Sequence, residues 1–177
     1  MSTTRVLLVA NRTATNAALL HAVRTRALRG PVDFHLVMPA TPQGLHRVVD
    51  PEVAGREAAR ERLARALPLL SEVTGTEVTG HVGDANPLAA VADALNLQGF
   101  DEIIVSTLPW RLSRWLRVDL PSKLRGLGVP VLHVTGSETA EVDGNPAERE
   151  SAVNSASHRS LRQAGSVLTG GGGGVQR

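Results

Sequence analysis

Cysteine and tyrosine are absent from this sequence, and aromatic residues make up only 2% of it. Without cysteine, the chain cannot form disulfides, thiolate nucleophiles or zinc–thiolate sites. With so few aromatic rings, the core must be built from valine, leucine, isoleucine and alanine. Aliphatic cores of this kind are typical of parallel sheets covered by helices.

Long apolar runs are also missing. The N-terminal stretch MSTTRVLLVANR has an apolar run shorter than a signal-peptide core, and no segment approaches the roughly 20 apolar residues of a membrane span. We therefore expect a cytoplasmic protein with no membrane partner. Lys123 is the single lysine among 19 basic residues, which are scattered among 17 acidic ones. The dispersed charge and the two tryptophans, both in one segment, argue against nucleic-acid binding.

What the sequence does contain is a regular alternation of apolar runs and helical periodicity. The predicted strands are Arg5 to Ala10, Val32 to Met38, Glu77 to Val82, Phe100 to Thr107 and Val129 to Val134. Helical patterns separate the first four of them. Strands that alternate with helices at this spacing are parallel and joined by right-handed crossovers. The sequence predicts an α/β fold, a three-layer α/β/α sandwich with a five-stranded parallel sheet.

Two helices carry local signals that can be checked. The long helix from about Pro51 to Val73 contains Pro68, which should kink it or end its first part. The next helix should begin after Asn86 as its cap, with Pro87 in its first turn.

The periodicity stops after Gly136. The remainder is rich in Ser, Gly, Asn and charge, and it includes five consecutive glycines from Gly170 to Gly174. Such a composition cannot bury enough apolar surface to fold. We predict a domain over residues 1–136 and a disordered tail over 137–177.

Several phrases together resemble the universal stress protein family. They are the first strand and its loop, the exit Val37-Met38-Pro39, the pair Gly83-Asp84, FDEIIVST before Leu108, and the closing GVPVLHVT. The resemblance covers residues 4–135. It implies the strand order 3-2-1-4-5, a homodimer through the last strand, and a nucleotide-related site.

That strand order opens a crevice at the carboxyl ends of strands 1 and 4, where any small-molecule site should lie. The predicted ligand-binding residues around it are Asn11, Arg12, Thr13, Met38, Asp84, Ser106, Thr107, Ser113, Arg114 and Ser122. The Asp84 carboxylate could hold a ribose hydroxyl or cap the following helix.

The stretch after strand 4, STLPWRLSRWLRVDLPSKL, lacks the glycines of the family's phosphate loop. Members that hold ATP carry G-x2-G-x9-G-S/T there, so that backbone N–H groups can approach the phosphates. Ser106, Pro109 and Asp119 stand where those glycines belong, and Asn11 stands where such members carry an aspartate. Sliding the pattern by two residues restores a hydroxyl at Ser122 but no glycine. ATP or AMP should therefore bind weakly or not at all.

The same stretch predicts a short amphipathic helix. Leu112, Trp115 and Leu116 should share one side, with arginines on the other. Either Trp115 covers the sheet and the arginines are solvated, or Arg114 binds an anion with help from Ser106 and Thr107.

No catalytic residue set is evident. The chain has no G-x-S-x-G, no Walker A pattern and no G-x-G-x-x-G after a strand. The six histidines show no spacing typical of metal ligands; they are His21, His35, His46, His81, His133 and His158.

The sequence thus favours a non-enzymatic, universal stress protein-like module for stress response or signalling. Two alternatives stay open. One is a nucleotide-binding protein that uses Arg, Ser and Thr side chains at the crevice. The other is a small-molecule hydrolase or transferase of the wider superfamily of adenine nucleotide alpha-hydrolase-like proteins.

Overall fold

A computed structural model describes residues 3–41, 51–109, 111–117 and 119–136, apart from the side chains of Pro51, Arg114 and Arg117. The predicted tail over 137–177 lies outside the described residues. So does Trp110, the first of the two tryptophans.

Strands and helices alternate as the sequence predicts, with boundaries within about two residues of the expected ones for most elements. In chain order they are β1 Thr4–Val9, α1 Ala17–Ala27, β2 Val32–Pro39, α2 Pro51–Thr74, β3 Thr79–Gly83, α3 Pro87–Leu97, β4 Glu102–Thr107, α4 Arg114–Arg117, α5 Leu120–Arg125 and β5 Val131–Thr135.

All five strands form one parallel sheet in the order β3-β2-β1-β4-β5, which confirms the predicted fold class and strand order. The central strand β1 is flanked by β2 and β4, with Val9 in register with Val37 on one side and Val105 on the other. β3 and β5 are the edge strands. This order puts the carboxyl ends of β1 and β4 side by side.

The core has one layer on each face of the sheet. On the first face, Leu8, Leu36 and Ile104 pack with residues of α1 and α2, including Leu19 and Leu70. On the second face, residues of β1, β2 and β4 pack with α3, α5 and Trp115. Because successive residues of a strand point to opposite faces, each central strand contributes to both layers and must be apolar almost throughout.

Helix starts follow the capping signals. Asn16 accepts a hydrogen bond from the Ala18 backbone N–H at 2.9 Å, and Asn86 accepts one from Leu88 at 2.9 Å. The cap predicted at Asn86 is confirmed. α2 does not end at Pro68, however, but continues to Thr74. Burial of α2 residues such as Leu70 against the sheet offsets the hydrogen bond that Pro68 cannot donate.

One expectation about the stretch after β4 is wrong. Trp115 is 9% exposed and belongs to the core of the second face, as its position on the predicted apolar side requires. Leu112 does not share that side, because it is 46% exposed in a turn before α4. The helical wheel failed here because α4 begins only at Arg114, so Leu112 precedes the helix; Asp119, in the left-handed region at φ 54°, then separates α4 from α5.

Candidate functional site

The crevice predicted from the strand order lies between the loops that leave β1 and β4. The β1 loop leads to α1 on the first face of the sheet, whereas the chain after β4 leads to α5 on the second face. The backbone therefore diverges at the carboxyl ends of two neighbouring strands. In open parallel sheets this is the place where ligands bind.

Asn11 begins the β1 loop and is 7% exposed. Its side-chain Nδ2 donates to the Pro39 carbonyl at 2.7 Å, and its Oδ1 accepts from Arg62 Nη1 at 3.2 Å. Asn11 thus joins the β1 loop to the end of β2 and to α2. An aspartate at this position could accept from Arg62 but could not donate to Pro39.

Thr13 bridges the crevice to β4. Its hydroxyl donates to the Ser106 carbonyl at 3.0 Å, and the two residues are only 3% and 1% exposed. The Ser106 Oγ is itself buried and has no hydrogen-bond partner among the described residues. A buried hydroxyl in this state is uncommon and carries a desolvation cost.

The end of β5 closes against the start of α1. The Gly136 N–H donates to the Thr107 carbonyl at 2.8 Å. A Cβ atom at Gly136 would stand 2.8 Å from Asn16 Cγ, so only glycine allows this approach. The cap of α1 is therefore packed directly against the chain that leaves β5.

Thr107 also forms a side-chain contact that the sequence did not reveal. Its Oγ1 lies 2.8 Å from His133 Nε2. Burial, and to a lesser degree the nearby Arg125, lowers the pKa of His133, so the imidazole is neutral near pH 7. The signal that could have found the pair is the β4–β5 register: it sets Val105 beside His133 and so places Thr107 and His133 on one face.

Asp84 lies in the loop after β3 and is exposed. Its Oδ1 accepts from the Asn86 N–H at 2.7 Å, while Asn86 itself caps α3. Asp84 does not cap α3 directly, because Asn86 is the capping residue. Its carboxylate stabilises the turn that presents the capping residue.

The remaining predicted residues are distributed around the crevice. Met38 is 0% exposed and belongs to the core. Ser113 Oγ accepts from the Leu116 N–H at 3.2 Å and so begins α4. Arg12 and Ser122 are exposed, on the β1 loop and in α5, and the backbone of Arg114 starts α4. One direct hydrogen bond connects Thr13 with Ser106, and within the described residues no hydrogen bond joins that pair to Met38, Asp84 or Ser122.

The described residues provide neither a metal-binding cluster of three or more side chains nor a membrane-spanning helix. No group of three or more His, Cys, Asp or Glu side chains there is placed to hold a metal ion. No described helix combines the length and the apolar character needed to cross a membrane.

Comparison with known proteins gives matches at the level of structure only. No protein-family model matches the sequence, and no curated protein matches it. Three solved structures of similar fold are a universal stress protein family member from Burkholderia pseudomallei, a universal stress protein in complex with cAMP, and one from Archaeoglobus fulgidus.

The first has a TM-score of 0.52 at 16% identity and covers 74% of this chain and 95% of its own. The cAMP complex has a TM-score of 0.52 at 15% identity, and the match covers 77% of this chain and 100% of that protein. The Archaeoglobus protein has a TM-score of 0.50 at 18% identity, and the match covers 73% of this chain and 92% of that protein. At sequence identities this low, the structural similarity shows a shared fold only. The protein has the fold of the universal stress proteins.

Proposed function

We propose that this chain is a non-enzymatic, universal stress protein-like module for stress response or signalling that does not bind ATP through a glycine loop. The observation that carries the proposal is the bonding at the crevice. Asn11 is bonded to Pro39 and Arg62, and Thr13 to Ser106. Polar groups that would have to face a nucleotide are bonded to other parts of the protein, and binding would have to break these bonds first.

The loop after β4 supports the same conclusion. A phosphate loop works because its backbone N–H groups point at the ligand. Here the N–H groups of Leu112 and Ser113 both donate to the Pro109 carbonyl, at 2.8 and 2.9 Å. Pro109 has no N–H of its own. The loop therefore turns on itself and uses two backbone donors that a phosphate could otherwise bind.

The start of α5 is also unfavourable to a phosphate. Asp119 precedes this helix and is exposed, and its side chain forms no capping hydrogen bond. A carboxylate at a helix start occupies the position that attracts anions and repels a second negative charge.

Thermal unfolding of the full chain with millimolar ATP, AMP and cAMP tests the proposal. A ligand present at 100 times its Kd stabilises a protein by about 2.7 kcal/mol, which is readily seen as a shift in melting temperature. Sodium triphosphate serves as the control for non-specific ionic effects. We expect nucleotides to shift the melting temperature no more than triphosphate does; a clear additional shift with any nucleotide would contradict the proposal.

A second candidate function is nucleotide binding by side chains at the same crevice. It is favoured by the unpartnered Ser106 Oγ and by the cAMP found in a protein of this fold. The Thr13 hydrogen bond goes to the Ser106 carbonyl, so the Ser106 Oγ is a separate group to which a nucleotide hydroxyl or phosphate could bind. In that case Ser106→Ala and Arg114→Ala should each weaken binding, and added salt should weaken the Arg114 contribution because it is ionic.

We also propose a homodimer through β5. This strand lies at an edge of the sheet, and its Leu132 is 51% exposed. Exposed apolar edge strands are otherwise prone to aggregation, and pairing with a second copy removes the edge.

A further inference from the structure

A pair of histidines lies near the β3 edge of the sheet, away from the crevice between β1 and β4. His35 is on β2 and His81 on β3, and the Nε2 of His35 lies 2.8 Å from the Nδ1 of His81. The ring centroids are 5.0 Å apart and the ring planes are inclined by 43°. Both residues are partly exposed on the face of the sheet that α3 covers.

We propose that His35 and His81 form a two-histidine site for a divalent transition-metal ion, with zinc, nickel and copper as the ions whose ligand preference fits. Imidazole nitrogens are common ligands for all three. The described residues supply no third histidine or carboxylate at the pair, so water or a small exogenous ligand would complete the coordination.

The spacing of the pair places both nitrogens within reach of one ion. With metal–nitrogen distances of about 2.0–2.1 Å, two imidazole nitrogens on one ion stand about 2.9–3.4 Å apart and their ring centroids about 4.5–5.2 Å apart. The observed centroid separation of 5.0 Å lies within that range. The nitrogens, at 2.8 Å, need to separate by only a few tenths of an ångström. With the nitrogens 2.8 Å and the centroids 5.0 Å apart, the two ring axes point nearly at each other, so both rings must rotate before their lone pairs converge on one ion.

The second nitrogen of His35 has the partner that a metal ligand requires. His35 Nδ1 lies 2.8 Å from Thr79 Oγ1. When Nδ1–H donates to this hydroxyl, the lone pair of Nε2 is directed toward His81. An oxygen partner of this kind fixes the tautomer and orientation of ligating histidines. On metal binding, the proton between the rings moves from His81 Nδ1 to its Nε2, which leaves Nδ1 with a lone pair for the ion.

The charges around the pair set a limit on its affinity. Burial, then His81 and Arg5, lower the pKa of His35. Arg5 also repels a cation. Its guanidinium lies 5.4 Å from the Phe100 ring centroid, and its backbone N–H donates to the Asp101 carboxylate at 2.7 Å.

Calorimetric titration of the tag-free full chain with zinc chloride tests the site. His81→Gln should weaken binding at least tenfold relative to the wild type, since loss of even an outer partner of a ligand costs about 10–100-fold in affinity. His21→Gln, at an exposed position on α1, is the matched control and should bind as the wild type does. His46 and His158 remain in every variant, so any binding to them cancels in the comparison.

Thr79→Val provides a test that keeps both imidazoles and a β-branched side chain in the strand. We expect about tenfold weaker zinc binding from loss of the oxygen partner. In the wild type, substoichiometric Cu²⁺ should broaden the NMR signals of residues 35, 79 and 81 before those near His21. This NMR measurement uses the wild type, so it tests the site even if a variant fails to fold. Absence of zinc binding, equal affinity of wild type and His81→Gln, or broadening centred elsewhere would overturn the proposal.

Discussion

At the scale of the residue, a few buried polar side chains determine how the crevice is built. Asn11 and Thr13 bond to the backbone of strands that are distant in sequence, and both are almost fully buried. A buried hydrogen bond contributes little net stability, but leaving its partner unsatisfied is costly. These side chains therefore hold the β1 loop in one position relative to β2 and β4.

The Thr13 bridge is testable by removing one hydroxyl. Thr13→Val keeps the shape of the side chain and leaves the Ser106 carbonyl without this donor. We expect the free energy of unfolding in urea to fall by about 1–3 kcal/mol. Thr15→Val, at an exposed position of the same loop, is the control and should change it by less than about 0.5 kcal/mol. Equal effects of the two substitutions would show that the bridge contributes nothing.

His133 makes the stability depend on pH. Its pKa in the folded protein lies below the ordinary value of 6.5, so the unfolded chain takes up the proton first as pH falls. The contribution of the neutral imidazole is complete above about pH 6.5 and is lost as pH falls through the lowered pKa. We expect urea midpoints to drop between about pH 7.5 and about pH 5, and to drop less in His133→Gln. A variant with the same pH dependence as the wild type would refute this assignment.

At the scale of the element, the sequence predicts the strands, the strand order and the capped start of α3, because apolar periodicity and caps are local signals. It does not predict the pair His35–His81 or the contact of Thr107 with His133. Their partners are 46 and 26 residues apart, and they meet only through the register of neighbouring strands. The exposure of Leu112 was missed for a related reason: a helical wheel presupposes one continuous helix.

Contact between α3 and the sheet depends on a glycine at the end of β3. A Cβ atom at Gly83 would lie 2.7 Å from Ala90 Cβ and 3.1 Å from Val37 Cγ1. Gly83→Ala should therefore lower the free energy of unfolding by about 1–3 kcal/mol through overpacking. Gly99→Ala is the matched control, because a Cβ there meets nothing within 4 Å. If both variants unfold at the same urea concentration, the close contact is not a constraint.

At the scale of the whole molecule, the proposed dimer interface and the crevice lie on opposite sides of β4. β5 pairs with β4 on one side and leaves its other edge open, while the crevice lies between β4 and β1. A second copy of the chain could therefore pair with β5 without occupying the crevice.

Leu132→Lys tests the dimer. A charge at this exposed position of the edge strand should prevent apolar pairing with a second copy and give a monomer, or insoluble protein, in sedimentation experiments. Leu97→Lys is the control, since Leu97 is 77% exposed at the end of α3, and should leave the dimer intact. A wild type that sediments as a monomer at high concentration would rule out the dimer.

We expect that the crevice does not hold ATP as a glycine loop would, and calorimetric titration of the wild-type full chain with ATP and magnesium measures this affinity. Donors that are bonded to Pro109, and side chains that must be reordered, predict a Kd no better than about 100 μM, which corresponds to about −5.5 kcal/mol. A Kd in the low micromolar range would contradict this expectation, because it would show that the loop after β4 binds phosphates without glycine.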